Sequence, residues 1–157
     1  MGAYAVQLAR RAGLRVFATA SSRDIPFVES LGVEAPVDYA AMRFEDVVPP
    51  VDIVLDLVGG ETRARSFGVI KPGGILVSTV SPPAAEDDRS RGVRAVFFLV
   101  EVTSERLDRL TDLFDHGELK TRVAISLPLD QVRVAHEMLA GAPHPGGKIV
   151  LHIADLP

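Results

Sequence analysis

Short apolar runs rich in Val, Ile and Leu alternate with helix-patterned segments along the whole chain, and this alternation marks a mostly parallel sheet covered by helices. Strands are predicted at Leu14–Thr19, Ala35–Asp38, Asp52–Leu57, Gly74–Thr79 and Arg94–Leu99, with a last one at Lys148–Ile153. Helices are predicted at Asp24–Leu31, Glu61–Val69, Ser104–His116 and Leu129–Ala140. The stretch Val80–Gly92, which contains SPPAAEDDRSRG, is polar and proline-bearing and reads as an exposed loop. No internal repeat or low-complexity segment breaks the pattern.

The opening segment, MGAYAVQLARRAGLRVFATASS, reads as the back half of a nucleotide-binding βαβ unit. In a complete unit a buried strand enters a Gly-rich turn, and the N-terminus of the next helix holds a pyrophosphate. Gly2 can be only the last glycine of such a turn. A helix Ala3–Ala12 follows it, and Gly13 is placed to stop that helix. The predicted fold class is therefore α/β: a truncated Rossmann-like, doubly wound, mostly parallel sheet with helices on both faces. Residues 1–117 are expected to form the truncated dinucleotide-binding domain, and 118–157 a strand-helix-strand tail packed on it.

In a doubly wound sheet the absent strand is the central one, so the strands Leu14–Thr19 and Asp52–Leu57 lose a shared neighbour. Unpaired backbone groups cost ~1 to 3 kcal/mol each when buried. The slot is thus expected to be filled by direct pairing of those two strands, by a strand from the tail (Arg122–Leu127 or Lys148–Ile153), or by a partner molecule.

Composition narrows the partners. The chain has 157 residues, 47% of them hydrophobic, enough for one sizeable core. With 17 basic and 21 acidic residues interspersed and a net charge of −4, no basic face suited to nucleic acid stands out. No apolar run approaches the roughly 20 residues that span a bilayer, and no signal-peptide pattern opens the chain. No membrane or nucleic-acid partner is expected, and the cytoplasm is the expected compartment. The absence of cysteine excludes disulfides and thiolate zinc sites.

Candidate site residues follow from the unit's geometry. An NAD-binding unit usually carries an acid at the end of its second strand, about 20 residues beyond the glycine motif. Ala20, Ser21, Ser22 and Arg23 occupy that place here, and two hydroxyls with a guanidinium can hold a ribose 2′-phosphate. The same SSRD segment also suits a helix start, with Ser22 capping the first free amides and Asp24 as a first-turn acid. Val58, Gly59 and Gly60 end a strand at the edge where open α/β sheets bind ligands; glycine there permits close approach to a ribose or nicotinamide, or a tight turn. Lys71, Pro72, Gly73 and Gly74 are expected to form a turn between helix and strand on the opposite edge, in a structural role.

No catalytic constellation is readable. His116, His136, His144 and His152 lie far apart, none at metal-ligand spacing, and no G-x-S-x-G elbow is present. Asp87 and Asp88 fall in the polar loop, where general acid or base work would lack the desolvation that tunes a pKa; no metal site is expected, and the catalytic residues are unassigned.

Five ordered blocks, AVQLARRAGLRVFATASS, LGVEAPVDY, VDIVLDLVGGET, IKPGGILVS and PGGKIVLHI, resemble the cofactor half and C-terminal tail of medium-chain dehydrogenases/reductases, in the zinc-independent quinone oxidoreductase-like branch. In that family an N-terminal GroES-like catalytic domain precedes the cofactor domain, and a quinone or enone lies between them beside NADPH. The present chain would begin after that domain and after the first Rossmann strand. The resemblance implies that Tyr39 touches the adenosine phosphate, a position that equally suits a half-buried aromatic at a strand end, and that Phe98, with Phe97, Leu99 and Val100, lies over the nicotinamide. A strand at the end of a core would have the same composition, and a core role is expected for these four.

The function so implied is the cofactor half of an NADPH-dependent quinone or enone oxidoreductase, with cofactor binding weakened or lost and little activity in isolation. The alternative is a scaffold that has lost hydride chemistry and serves in binding, assembly or cofactor-independent cyclisation of a hydrophobic metabolite. Apolar surface left uncovered by an absent domain further predicts a homodimer, with Lys148–Ile153 as its first candidate contact and Arg94–Leu99 as its second.

Overall fold

A computed structural model describes residues 1–82 and 92–153. Most of the predicted loop Val80–Gly92, including Asp87 and Asp88, lies outside the described residues. The chain forms two compact units, Met1–Asp112 and Leu113–Pro157.

In the first unit, helix α1 (Gly2–Arg11) buries Val6 and ends in Arg10 and Arg11, whose charges suit the negative end of the helix dipole. Gly13, at φ +75°, turns the chain out of it. Strand β1 (Phe17–Ala20), helix α2 (Ile25–Ser30) and strand β2 (Ala35–Asp38) then form a β-α-β unit whose strands pair in parallel. A second parallel ladder is built from β3 (Val51–Asp56), β4 (Ile70–Ser78) and β5 (Arg94–Phe97), in that order. Helix α3 (Gly60–Ser66), extended by a 3-10 turn over Phe67–Val69, connects β3 to β4.

Two apolar clusters hold these elements together. Phe67, Ile70, Leu76 and Val93 form one, packed by Val54 and Ala95. Val37, Phe44 and Val69 form the other, packed by Val48, Val51 and Val54. Val54 faces both, which joins the β1–β2 side of the unit to the β3–β5 ladder without a backbone hydrogen bond between their strands. Full burial of one such side chain is worth ~1.5 to 3 kcal/mol.

Of the three expected ways to fill the central slot, the two that use the chain itself are not found among the described residues. Among the described residues β1 pairs only with β2, and β3 only with β4, so the two strands do not pair with each other. The tail strands pair with each other instead. The shared apolar clusters explain how the two ladders cohere without that pairing, and β3 leaves Ile53 56% and Leu55 44% exposed.

The β3–β4 register carries one irregularity. Val51 lies opposite Ile70, yet Ile53 lies opposite Ile75, so Lys71–Gly74 form a bulge at the N-terminal end of β4. The bulge is specific to its glycine: a Cβ at Gly74 would lie 2.6 Å from Ile70 Cγ2 and 2.7 Å from the Asp52 carbonyl oxygen. Lys71 Nζ reaches across to the Asp52 carboxylate at 2.9 and 3.0 Å. The Lys71–Gly74 segment therefore sits on the edge opposite Val58–Gly60, as expected, but as a bulge within β4 rather than a turn before it.

Helix α4 (Ser104–Asp115) runs across the division between the units. In the second unit, β6 (Val123–Pro128) and β7 (Lys148–His152) pair in parallel, joined through a 3-10 turn and helix α5 (Val132–Leu139). Leu119, Leu127 and Ala135 are its buried side chains.

Candidate functional site

Parallel strands present their C-terminal ends on one edge, and there the first unit gathers its polar side chains. Asp56, the last residue of β3, is 4% exposed, and Ser78, the last of β4, is fully buried. Asp56 Oδ2 accepts a hydrogen bond from Ser78 Oγ at 2.7 Å, while Oδ1 accepts from the backbone amides of Val58 at 3.0 Å and Gly59 at 2.8 Å. Ser78 Oγ in turn accepts from the Val80 amide at 3.2 Å. One buried carboxylate thus fixes both the β3–β4 pairing and the turn leaving β3. A carboxylate can be buried this way because its oxygens are met by N–H and O–H donors.

That turn needs glycine at position 59. Its φ is +78°, and a Cβ would lie 2.9 Å from Val80 Cγ1. Gly60 also has a positive φ, +55°, but open space where its Cβ would be. Val58 is 66% exposed beside it. Gly2 comes to the same edge: a methyl group on it would lie 3.5 Å from Leu57 Cδ1. It is the first residue of α1 rather than the end of a loop before Ala3, so the helix starts one residue earlier than its sequence suggests.

At the end of β5 the Phe98 amide donates to the Ser78 carbonyl at 2.9 Å, continuing the ladder one step past Phe97. Phe98 is nevertheless 48% exposed, Leu99 73% and Val100 76%. The expected core role for these residues is corrected: the strand stops at Phe97, and the chain leaves the sheet before their side chains can be covered.

The β1–β2 edge holds the other group. Tyr39 donates its amide to the Ala20 carbonyl at 3.2 Å and projects an exposed ring. Ser21 and Ser22 follow β1 directly. Ser21 Oγ donates to Asp24 Oδ2 at 2.9 Å, and Ser22 Oγ donates to Asp38 Oδ2 across to the end of β2. Arg23 places a guanidinium nitrogen 3.8 Å from Asp24 Oδ2. The predicted capping role of Ser22 is therefore corrected: no side chain caps the helix start, because both hydroxyls are drawn to carboxylates, which accept more strongly. Asp38 also accepts from the Ala40 amide at 2.9 Å. The Ser22 hydroxyl and then this amide hold the Asp38 carboxyl below the usual aspartate range.

Asp38, Asp56 and Ser78 were not among the residues singled out from sequence. Asp56 carried a usable signal, an acid three residues before Gly59 at a strand end, which is the spacing of a side chain that caps its own turn.

Residues 31–151 match the zinc-binding dehydrogenase family, and the chain belongs to that family, as a cofactor-domain segment of the medium-chain dehydrogenase/reductase superfamily. It is 29% identical over 98% of its length to a probable zinc-binding oxidoreductase, mitochondrial, of Arthroderma benhamiae, and covers 49% of that protein. It is 30% identical over 97% of its length to an NADPH-dependent alkenal/one oxidoreductase, chloroplastic, of Arabidopsis thaliana, covering 38% of it. Among solved structures, the quinone oxidoreductase from Coxiella burnetii superposes with a TM-score of 0.86 at 31% identity, over 98% of this chain and 49% of that one. The chain thus spans about half or less of the length of the curated relatives it matches. The α/β fold with parallel strands agrees with that of these relatives.

The family's name implies zinc, and the residues do not fit it. The chain has no cysteine, and among the described residues no group of three or more His, Cys, Asp or Glu side chains could hold a metal ion. A dinucleotide fits these residues better: a guanidinium at Arg23, an exposed phenol at Tyr39 and open backbone at Gly60 stand at the strand ends, beside the Ser21 and Ser22 hydroxyls that donate to Asp24 and Asp38. No helix among the described residues is long and apolar enough to cross a membrane.

Proposed function

We propose that this chain is the cofactor half of an oxidoreductase that moves hydride from NADPH to a small hydrophobic quinone or enone, without zinc. One observation carries this reading. The strand ends on which open α/β sheets take ligands bear Ser21, Ser22, Arg23 and Tyr39 on one ladder and Val58, Gly59 and Phe98 on the other. In this assignment Ser21, Ser22 and Arg23 meet the adenosine 2′-phosphate and Tyr39 the adenosine phosphate edge. Gly2, Val58 and Gly59 give the backbone close approach, and the exposed Phe98 ring flanks the nicotinamide.

Bound NADPH supplies the hydride; the chain supplies binding and orientation. No side chain is assigned a proton-transfer role. The relative named for NADPH-dependent alkenal/one reduction supports both the cofactor and the substrate class. The other wall of the cleft belongs, in this reading, to sequence that the relatives have and this chain does not match. A homodimer is proposed for the chain alone.

Titration calorimetry tests the assignment. NADPH should bind more tightly than NADH, with affinity on the order of high micromolar or weaker. Arg23→Ala should narrow the difference. Equal binding would overturn the Ser21, Ser22 and Arg23 assignment. The purified chain should not oxidise NADPH with simple quinones at the ~1 to 1000 per second of typical enzymes, and such turnover would refute the half-site reading. A second reading, a scaffold without hydride chemistry, is favoured by the engagement of both serine hydroxyls with Asp24 and Asp38. Binding of neither nucleotide would select it.

A further inference from the structure

We infer that Asp38 is a selectivity brake on the cofactor site: its carboxylate takes the one proton that Ser22 can donate and sets a negative charge where a 2′-phosphate would have to sit. The inference rests on the cofactor reading above and names the residue that limits its preference for NADPH.

A serine hydroxyl carries a single hydrogen. With the Ser22 proton directed to Asp38 Oδ2, a 2′-phosphate must win that proton from the carboxylate before Ser22 can bind it. Ser21 is in the same position toward Asp24. Asp38 and Asp24 thus bring negative charge to this corner, beside the guanidinium of Arg23. A 2′-phosphate brings up to two more negative charges, whereas the ribose diol of NADH is neutral and has hydroxyls that a carboxylate can accept from.

Asp38 is also well anchored. Its Oδ1 accepts from the Ala40 amide at 2.9 Å, and the backbone just beyond it is tied to β1 by the Tyr39 amide on the Ala20 carbonyl at 3.2 Å, so swinging the carboxylate away would break its bonds to both Ala40 and Ser22. The Ser22 hydroxyl and then the Ala40 amide hold it below the usual aspartate range, so it stays ionised at neutral pH.

The test is a titration of the isotope-labelled chain with NADP⁺ and, separately, NAD⁺, followed by amide chemical shifts into the millimolar range. Asp38→Asn keeps the size and an acceptor for Ala40 but removes the charge; Asp38→Glu keeps the charge. The Asn variant should bind NADP⁺ about tenfold more tightly, while its NAD⁺ affinity moves by less than about twofold. The Glu variant should show no gain for NADP⁺. The readout is the ratio of the two affinities within each protein, which a general loss of stability leaves unchanged because both nucleotides use the same fold. An unchanged ratio in the Asn variant, or an equal gain in the Glu variant, would overturn the role of Asp38 while leaving the cofactor site standing. Shifts from neither nucleotide in any of the three proteins would overturn the cofactor reading itself, and the brake with it.

Discussion

Asp56 and Ser78 stand directly opposite each other on β3 and β4, and their 2.7 Å hydrogen bond closes in a place where both are buried. Removing the carboxylate strands three donors at once: the Ser78 hydroxyl and the amides of Val58 and Gly59. Asp56→Ala should cost ~2 to 4 kcal/mol in urea unfolding. Asp56→Asn should cost about half as much, since the amide keeps one acceptor for the turn. A loss under about 0.5 kcal/mol for Asp56→Ala, the range of ordinary surface changes, would show that the pair does not organise this edge.

Gly59 and Gly60 are adjacent, both have positive φ, and yet they should respond differently. Gly59→Ala meets backbone strain and Val80 Cγ1 at 2.9 Å, and should lose ~2 to 3 kcal/mol; Gly60→Ala meets strain alone, at about 1 kcal/mol. Val80→Ala introduced together with Gly59→Ala should recover part of the loss. Equal thermal shifts for the two single variants would remove the argument from crowding.

Acid should destabilise the first unit through three carboxyls. Glu34 is held below the usual range by its hydrogen bond to Arg15, Asp38 by Ser22 and the Ala40 amide, and Glu45 by its own backbone amide and then Arg43. A carboxyl whose folded pKa is depressed adds stability that is fully present above its unfolded value and is lost as pH falls through the folded one. The unfolding midpoint should therefore stay level from neutral pH down to the ordinary carboxylate values, 3.8 for Asp and 4.5 for Glu, and decline below them. Glu45→Gln should make that decline shallower. A midpoint that rises on acidification would contradict all three assignments.

Association should be visible by light scattering as a dimer mass. Along β7, Ile149 and Leu151 are half-buried within their own unit, whereas Val150 points outward. Val150→Lys is thus the variant that should dissociate a dimer formed through this strand without unfolding the unit. A monomer mass for the unaltered chain would end the proposal, and a dimer unaffected by Val150→Lys would move the contact elsewhere.

Most of the elements were legible because periodicity and turn residues encode them locally: β2 falls on the predicted Ala35–Asp38, and α4 ends one residue short of its predicted limit at His116. What was not legible depends on neighbours distant in sequence. Asp52 and Asp56 look alike in VDIVLDLVGG, but one is exposed beside Lys71 and the other is buried against Ser78, a partner twenty-two positions away. Ser22 looked like a cap because its competitor, Asp38, arrives only when β2 docks beside β1. Phe98 to Val100 looked like core because apolar character does not say where a strand ends.

The bulge at Lys71–Gly74 has a reach longer than its size. Parallel strands exchange faces with every residue of slippage, so the pairing of Asp56 with Ser78 depends on how much chain the bulge takes up at the far end of the same two strands. Losing one residue there would leave every side chain of the edge chemically intact while rotating Ser78 out of reach of Asp56. The segment with no chemistry of its own is therefore the gauge block of the molecule, and length variation there should be as damaging as substitution at the edge it sets.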